Sequence, residues 1–80
     1  MLEFYETQDD TRKTLFVEVI LPLAISKTYT YRVPFEMNML LQVGKRVVVQ
    51  FGKSKIYTAI IFKISEIPPS LYEAKYIIDV

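Results

Sequence analysis

The chain has 80 residues, of which 51% are hydrophobic and 14% aromatic, and its formal net charge is +1. This length allows one small domain, and the apolar fraction is too high for a disordered tail. Because the sequence contains no Cys and no His, it excludes thiol nucleophiles, imidazole bases, disulfides and the usual zinc ligand sets.

The N-terminal segment, residues 1–13, mixes charged and aromatic side chains without a sustained period, so we expect a flexible tail or a lightly docked arm. The segment is acidic where a secretory signal would be basic, and no apolar run approaches the roughly 18–20 residues that a membrane-spanning helix needs. We therefore expect a cytoplasmic protein with no membrane partner.

Alternating apolar residues predict the first two strands, LFVEVIL at 15–21 and TYTYRVP at 28–34, and a proline stops each hydrogen-bond ladder. Alternation also assigns the faces of the second strand. One face carries Tyr29, Tyr31 and Val33, and the other carries Thr28, Thr30 and Arg32.

Residues 35–44, FEMNMLLQVG, have helical spacing over barely two turns and predict a loop with one helical turn. KRVVVQF at 45–51 and KIYTAIIFKIS at 55–65 predict a third and a fourth strand, and the apolar content of the fourth predicts burial on both faces in its middle. AKYIIDV at 74–80 predicts a fifth strand. These elements predict an all-β fold, a small antiparallel barrel or sandwich of five to six strands, OB-like or SH3-like, with at most one short helical turn.

The letters GKS at 52–54 repeat the end of a nucleotide-binding phosphate loop. That loop needs a first glycine where this chain has Val47, and it must open a helix, whereas the residues after the turn predict a strand. The pattern therefore predicts a glycine-bearing hairpin turn that carries Lys53 and Lys55.

Charge is unevenly distributed along the chain. Residues 1–10 hold four acids and no base, whereas residues 37–65 hold five bases and no acid. A local basic field can attract a polyanion, although charges on the solvated face of a sheet also keep a protein soluble. Both interpretations stay open on charge alone.

Three ordered segments carry a family resemblance: VEVILPLAISKTYTYRVP at 17–34, VGKRVVVQFGKSKIYTAIIFKI at 43–64 and YEAKYIIDV at 72–80. In this order and spacing they resemble the N-terminal 3′-end DNA-binding domain of the replication-restart helicase PriA. The resemblance implies that residues 14–80 are one domain of a larger ATP-dependent helicase, whose ATP, magnesium and zinc sites lie outside this chain. The chain itself is then expected to bind DNA without catalysis and without a cofactor or metal.

The resemblance further implies capture of the 3′ end of nascent leading-strand DNA at stalled replication forks, independent of base sequence. Implied partners are single-stranded or forked DNA with a 3′-OH end, the remainder of the helicase, and primosome proteins. Carried over residue by residue, the family's pocket for the terminal nucleotide corresponds to Tyr29, Thr30, Gly52 and Lys75. Secondary phosphate contacts are expected from Lys53, Lys55 and Arg32.

Each pocket residue has a physical role to match. The Tyr29 ring can stack on a base or sugar, which contributes about 1–3 kcal/mol per base, although barrel core is the commoner role of a strand tyrosine. Gly52 permits a positive φ and a close approach of sugar to backbone, and Lys75 offers a point charge to phosphate. Thr30 stands where many family members carry Asp, and its neutral hydroxyl binds a 3′-OH less strongly and repels a 3′-phosphate less.

Two other functions stay open on the residues. In the first, an SH3-like module binds an extended or proline-rich peptide in a groove of aromatic side chains, namely Tyr29, Tyr31, Tyr57 and Tyr72. In the second, a purely structural barrel docks on the rest of a larger enzyme. The central strands lack the acidic patch that such peptide grooves use against basic ligands, which favours a polyanion.

Overall fold

The computed structural model describes residues 13–80, so the predicted tail lies outside the described residues except for Lys13. Its four antiparallel strands are β1 (Leu15–Ile20), β2 (Tyr29–Val33), β3 (Arg46–Phe51) and β4 (Lys55–Ser65). They form one sheet in the order β2-β1-β4-β3, which curls into a half-barrel. The predicted all-β class and small barrel or sandwich architecture are confirmed, with four strands instead of the five to six predicted.

A 3-10 helix over Phe35–Leu40 lies between β2 and β3 and follows directly on Pro34. The proline cannot donate to a ladder, so β2 stops there, and the short helical turn predicted for this stretch is present. No helix in the described part of the chain is long and apolar enough to cross a membrane.

Residues 75–79, here called the closing segment, connect the two edge strands of the half-barrel. They make one parallel bridge to β2, at Arg32, and one antiparallel bridge to β3, at Val48. The hydrogen bonds run from Arg32 N–H to the Lys75 carbonyl at 2.7 Å, from Ile77 N–H to the Arg32 carbonyl at 2.9 Å, and from Val48 N–H to the Asp79 carbonyl at 2.9 Å. The prediction of a fifth strand is therefore wrong. The segment crosses from the edge strand β2 to the edge strand β3 and pairs with each at a single position, so it forms no continuous ladder.

The hydrophobic core fills the inside of the half-barrel. It consists of alternate residues of all four strands together with residues from the segments that follow β1 and β4: Val17, Val19, Leu21, Tyr31, Val33, Val47, Val49, Ala59, Ile61 and Ile77. Because Ile77 is only 3% exposed, apolar burial holds the closing segment in place as well as its backbone hydrogen bonds.

The prediction that the middle of β4 is buried on both faces is wrong. Ala59 and Ile61 are buried, whereas Ile60 is 38% exposed and Phe62 55% exposed. The core residues of β4 lie on the concave face of the curled sheet, and Ile60 and Phe62 point to its other face. The strand therefore alternates like an ordinary half-buried antiparallel strand, despite its apolar outer side chains.

Candidate functional site

A cavity of about 260 Å³ lies between the edge strands, next to the closing segment. Its walls are residues 29–31 of β2, residues 50–52 at the end of β3, and Tyr72, Glu73 and Lys75. We call it the seam cavity. It brings together all four residues that were assigned to the pocket from the sequence, which are Tyr29, Thr30, Gly52 and Lys75, while their role in DNA binding stays a prediction.

The Tyr29 ring is held at the cavity wall by aromatic contacts. It meets the Phe51 ring edge to face, with ring centroids 4.9 Å apart and ring planes at 68°. The Phe51 ring in turn packs edge to face on the Tyr57 ring, with centroids 6.4 Å apart. The Lys27 ammonium lies 5.2 Å from the centroid of the Tyr29 ring, within the range of a cation–π contact. Edge-to-face pairs add about 0.5–1.5 kcal/mol beyond burial, so these contacts favour the observed position of the ring.

Thr30 and Tyr72 join the edge of β2 to the far wall of the cavity. The Thr30 backbone N–H donates to the Tyr72 hydroxyl oxygen at 2.9 Å. Since β2 is an edge strand, part of its outer row of backbone groups has no ladder partner, and the tyrosine hydroxyl takes over that role at Thr30. This bond places the residues that lead into the closing segment against β2.

Gly52 occupies the turn after β3 with φ at +77°, a conformation that favours glycine. A Cβ at this position would meet no heavy atom within 4 Å, so the space beside the backbone is open. The Lys75 ammonium donates to the Gly52 carbonyl at 3.1 Å, and Gln50 Nε2 donates to the Lys53 carbonyl at 2.8 Å. An ammonium has three donors, and Lys75 uses one of them to brace the turn.

Tyr31 lies beneath the cavity and ties the two edge strands together. It is 5% exposed, and its hydroxyl donates to the Gln50 carbonyl at 2.7 Å. Burial raises the pKa of Tyr31 above its ordinary value, and the neighbouring Tyr72 and Tyr29 raise it further. The hydroxyl therefore stays a neutral donor at physiological pH.

The three secondary candidates do not join the cavity wall. Lys53 and Lys55 are exposed on the turn and at the first residue of β4, beside Gly52. Arg32 lies elsewhere, with its guanidinium carbon 5.3 Å from the centroid of the Tyr76 ring, and it lines a separate cavity with Tyr76. Although Arg32 is on the strand face predicted for it, the structure does not bring it to the seam cavity.

Sequence reasoning missed several residues at this site. The cavity is also lined by Gln50, Phe51 and Glu73, and Lys27 lies on the Tyr29 ring. No local pattern marks them, because they reach the site through turns and long-range contacts. The one available signal was their position beside residues already assigned, since Gln50 and Phe51 precede Gly52, and Glu73 lies two positions before Lys75.

Comparison with models of protein families gives a match over residues 18–80 to a model described as the 3′DNA-binding domain (3′BD) of PriA. The matched range includes every residue that lines the seam cavity. Comparisons with curated proteins and with solved structures gave no match.

Proposed function

Because this chain belongs to the family of PriA 3′ DNA-binding domains, we propose that its seam cavity holds the 3′-terminal nucleotide of nascent leading-strand DNA at stalled replication forks. The chain is a DNA-binding module and not itself a catalyst. The observation that supports the proposal most is that Tyr29, Thr30, Gly52 and Lys75, which come from three separate parts of the chain, line one cavity.

The size of the cavity suits one sugar with its base. Its volume of about 260 Å³ lies just below the range of about 300–1,000 Å³ typical of pockets for drug-sized ligands. A longer oligonucleotide would not fit, so the rest of the strand must leave along the surface. Lys27, Lys53 and Lys55 lie near the site and can neutralise its phosphates.

The chemistry of the cavity favours binding without base selection. The Tyr29 and Phe51 rings offer apolar surface, and stacking tolerates any base because every base has a π-face. The open space beside the Gly52 backbone admits a sugar. The two remaining donors of the Lys75 ammonium reach a phosphate, which is the same at every position of a strand.

Recognition of an end without recognition of sequence suits a protein that acts wherever a fork stalls. On this proposal the chain is the end-recognising part of a larger cytoplasmic helicase, and ATP, magnesium and zinc act in other parts of that protein. The remainder of the helicase and primosome proteins are then its protein partners.

Fluorescence anisotropy with short labelled strands tests the proposal. A strand with a free 3′-OH end is compared, at low salt, with a DNA of the same composition whose 3′ end is paired inside a hairpin, and oligo-dT is compared with oligo-dA. We expect tighter binding of the free end and similar affinities for the two base sequences. Equal binding of free and sequestered ends would refute the proposal.

A further inference from the structure

Glu73 gives the seam cavity its negative charge. The other lining residues are aromatic, neutral polar, glycine or, in Lys75, cationic. A carboxylate at a site for a polyanion opposes binding in general, because it repels every phosphate near it. A carboxylate in this wall can favour binding only where the ligand offers it a hydrogen-bond donor.

The Glu73 carboxylate is free to meet such a group. The ion pair found between described residues joins Lys13 and Glu66, and no cation from residues 13–80 pairs with Glu73. Lys75, two positions away, directs its ammonium to the Gly52 carbonyl. The bond between Tyr72 and the Thr30 N–H and the bond from Lys75 to Gly52 hold the residues on both sides of Glu73 against the cavity, which Glu73 lines.

An ionised carboxylate only accepts hydrogen bonds. The 3′-hydroxyl of a DNA strand can donate to it, and a charge-assisted bond of this kind is roughly twice as strong as a neutral one. A 3′-phosphate has about −1.5 to −2 charges at neutral pH, as phosphate monoesters do, and is repelled. The neutral Thr30 hydroxyl in the same wall cannot exclude a phosphate in this way.

We infer that Glu73 selects extendable ends: its carboxylate accepts a hydrogen bond from the terminal 3′-hydroxyl and excludes a terminal 3′-phosphate. This inference rests on the proposed function of the seam cavity. Glu73 then provides the discrimination between a 3′-OH and a 3′-phosphate that the neutral Thr30 hydroxyl cannot provide.

The test compares the wild-type chain with Glu73→Gln on three DNAs, which end in a 3′-OH, in a 3′-phosphate, or in a hairpin that sequesters the 3′ end. We expect the wild-type chain to bind the 3′-OH strand about tenfold more tightly than the 3′-phosphate strand. Glu73→Gln should bring this ratio close to one, chiefly by tightening the binding of the 3′-phosphate strand. A purely structural role of Glu73 would not produce a gain of affinity for one DNA.

Glu66→Gln is the matched control, since it removes one negative charge from an exposed side chain that does not line the cavity. It should keep the wild-type ratio, and thermal melts should show that both variants fold. A wild-type chain that prefers free ends but does not distinguish 3′-OH from 3′-phosphate overturns the inference, and so does an unchanged ratio in Glu73→Gln. Equal binding of free and sequestered ends refutes the proposed function itself, so the two failures are separable.

Discussion

Two glycines offer a matched test of the seam cavity. Gly44 and Gly52 both have a positive φ, +92° and +77°, and a Cβ at either would meet no heavy atom within 4 Å. Asn is the substitute of choice, since it tolerates this conformation better than other residues, whereas a β-branched Val would be an outlier there. We expect Gly44→Asn and Gly52→Asn each to lower the free energy of unfolding by no more than about 1–2 kcal/mol.

Affinity for DNA should separate the two variants, because Gly52 lines the cavity and Gly44 does not. An Asn side chain at Gly52 would occupy space that the terminal sugar needs and would lift the base from the Tyr29 ring. The loss of one stacking contact, about 1–3 kcal/mol, raises the Kd roughly 5- to 150-fold at about 1.4 kcal/mol per tenfold. Gly44→Asn should leave the Kd unchanged.

Urea denaturation measures the stability of both variants, and fluorescence anisotropy with a labelled 3′-OH strand measures their affinity. The reasoning is refuted if both variants bind DNA as the wild-type chain does, or if both weaken equally with equal losses of stability. In either case the open space at Gly52 would have no part in DNA binding.

Three further predictions follow from the same geometry. Lys75→Met should weaken binding of all base sequences alike and make the slope of log K against log salt shallower by about 0.7. The control Lys63→Met, outside the cavity, should bind DNA more tightly than Lys75→Met. Equal Kd values and equal salt slopes for the two variants would show that Lys75 is not part of the site. Burial raises the pKa of Tyr31, so stability should fall as the pH rises above about 10, the ordinary pKa of tyrosine, through the raised value in the folded chain. Tyr31→Phe should cost about 1 kcal/mol at neutral pH and should show a smaller alkaline loss in pH-dependent urea melts; an identical loss would contradict this. Ile77→Ala should lower the free energy of unfolding by about 2–5 kcal/mol, and a loss typical of a surface substitution would show that the closing segment adds little.

The four strands could be predicted from the sequence because their signal is local. The predicted strand at 55–65 has the observed bounds of β4, and the one at 45–51 differs from β3 by a single residue at its start. Alternation also marks the inner face, which a curled sheet must bury. It does not say whether a second layer covers the outer face, and the apolar Ile60 and Phe62 suggested one that the described residues do not provide.

The site was less accessible to sequence reasoning. Tyr29, Thr30, Gly52 and Lys75 came from a family resemblance, and composition alone would not have grouped residues from three parts of the chain. Glu73 had no signal of its own, because its place in the wall depends on how the closing segment crosses between the edges. That crossing is a tertiary feature, since AKYIIDV has the strand propensity of a ladder that it does not form.

The closing segment also bears on the solubility of the domain. The outer edges of β2 and β3 would otherwise present unpaired N–H and C=O groups, which are templates for joining another molecule strand to strand. A chain that stops at residue 74 would lose the bridges at Arg32 and Val48 and the apolar contact of Ile77. We expect such a chain to elute from a size-exclusion column as self-associated species, and the 80-residue chain to elute as a smaller species.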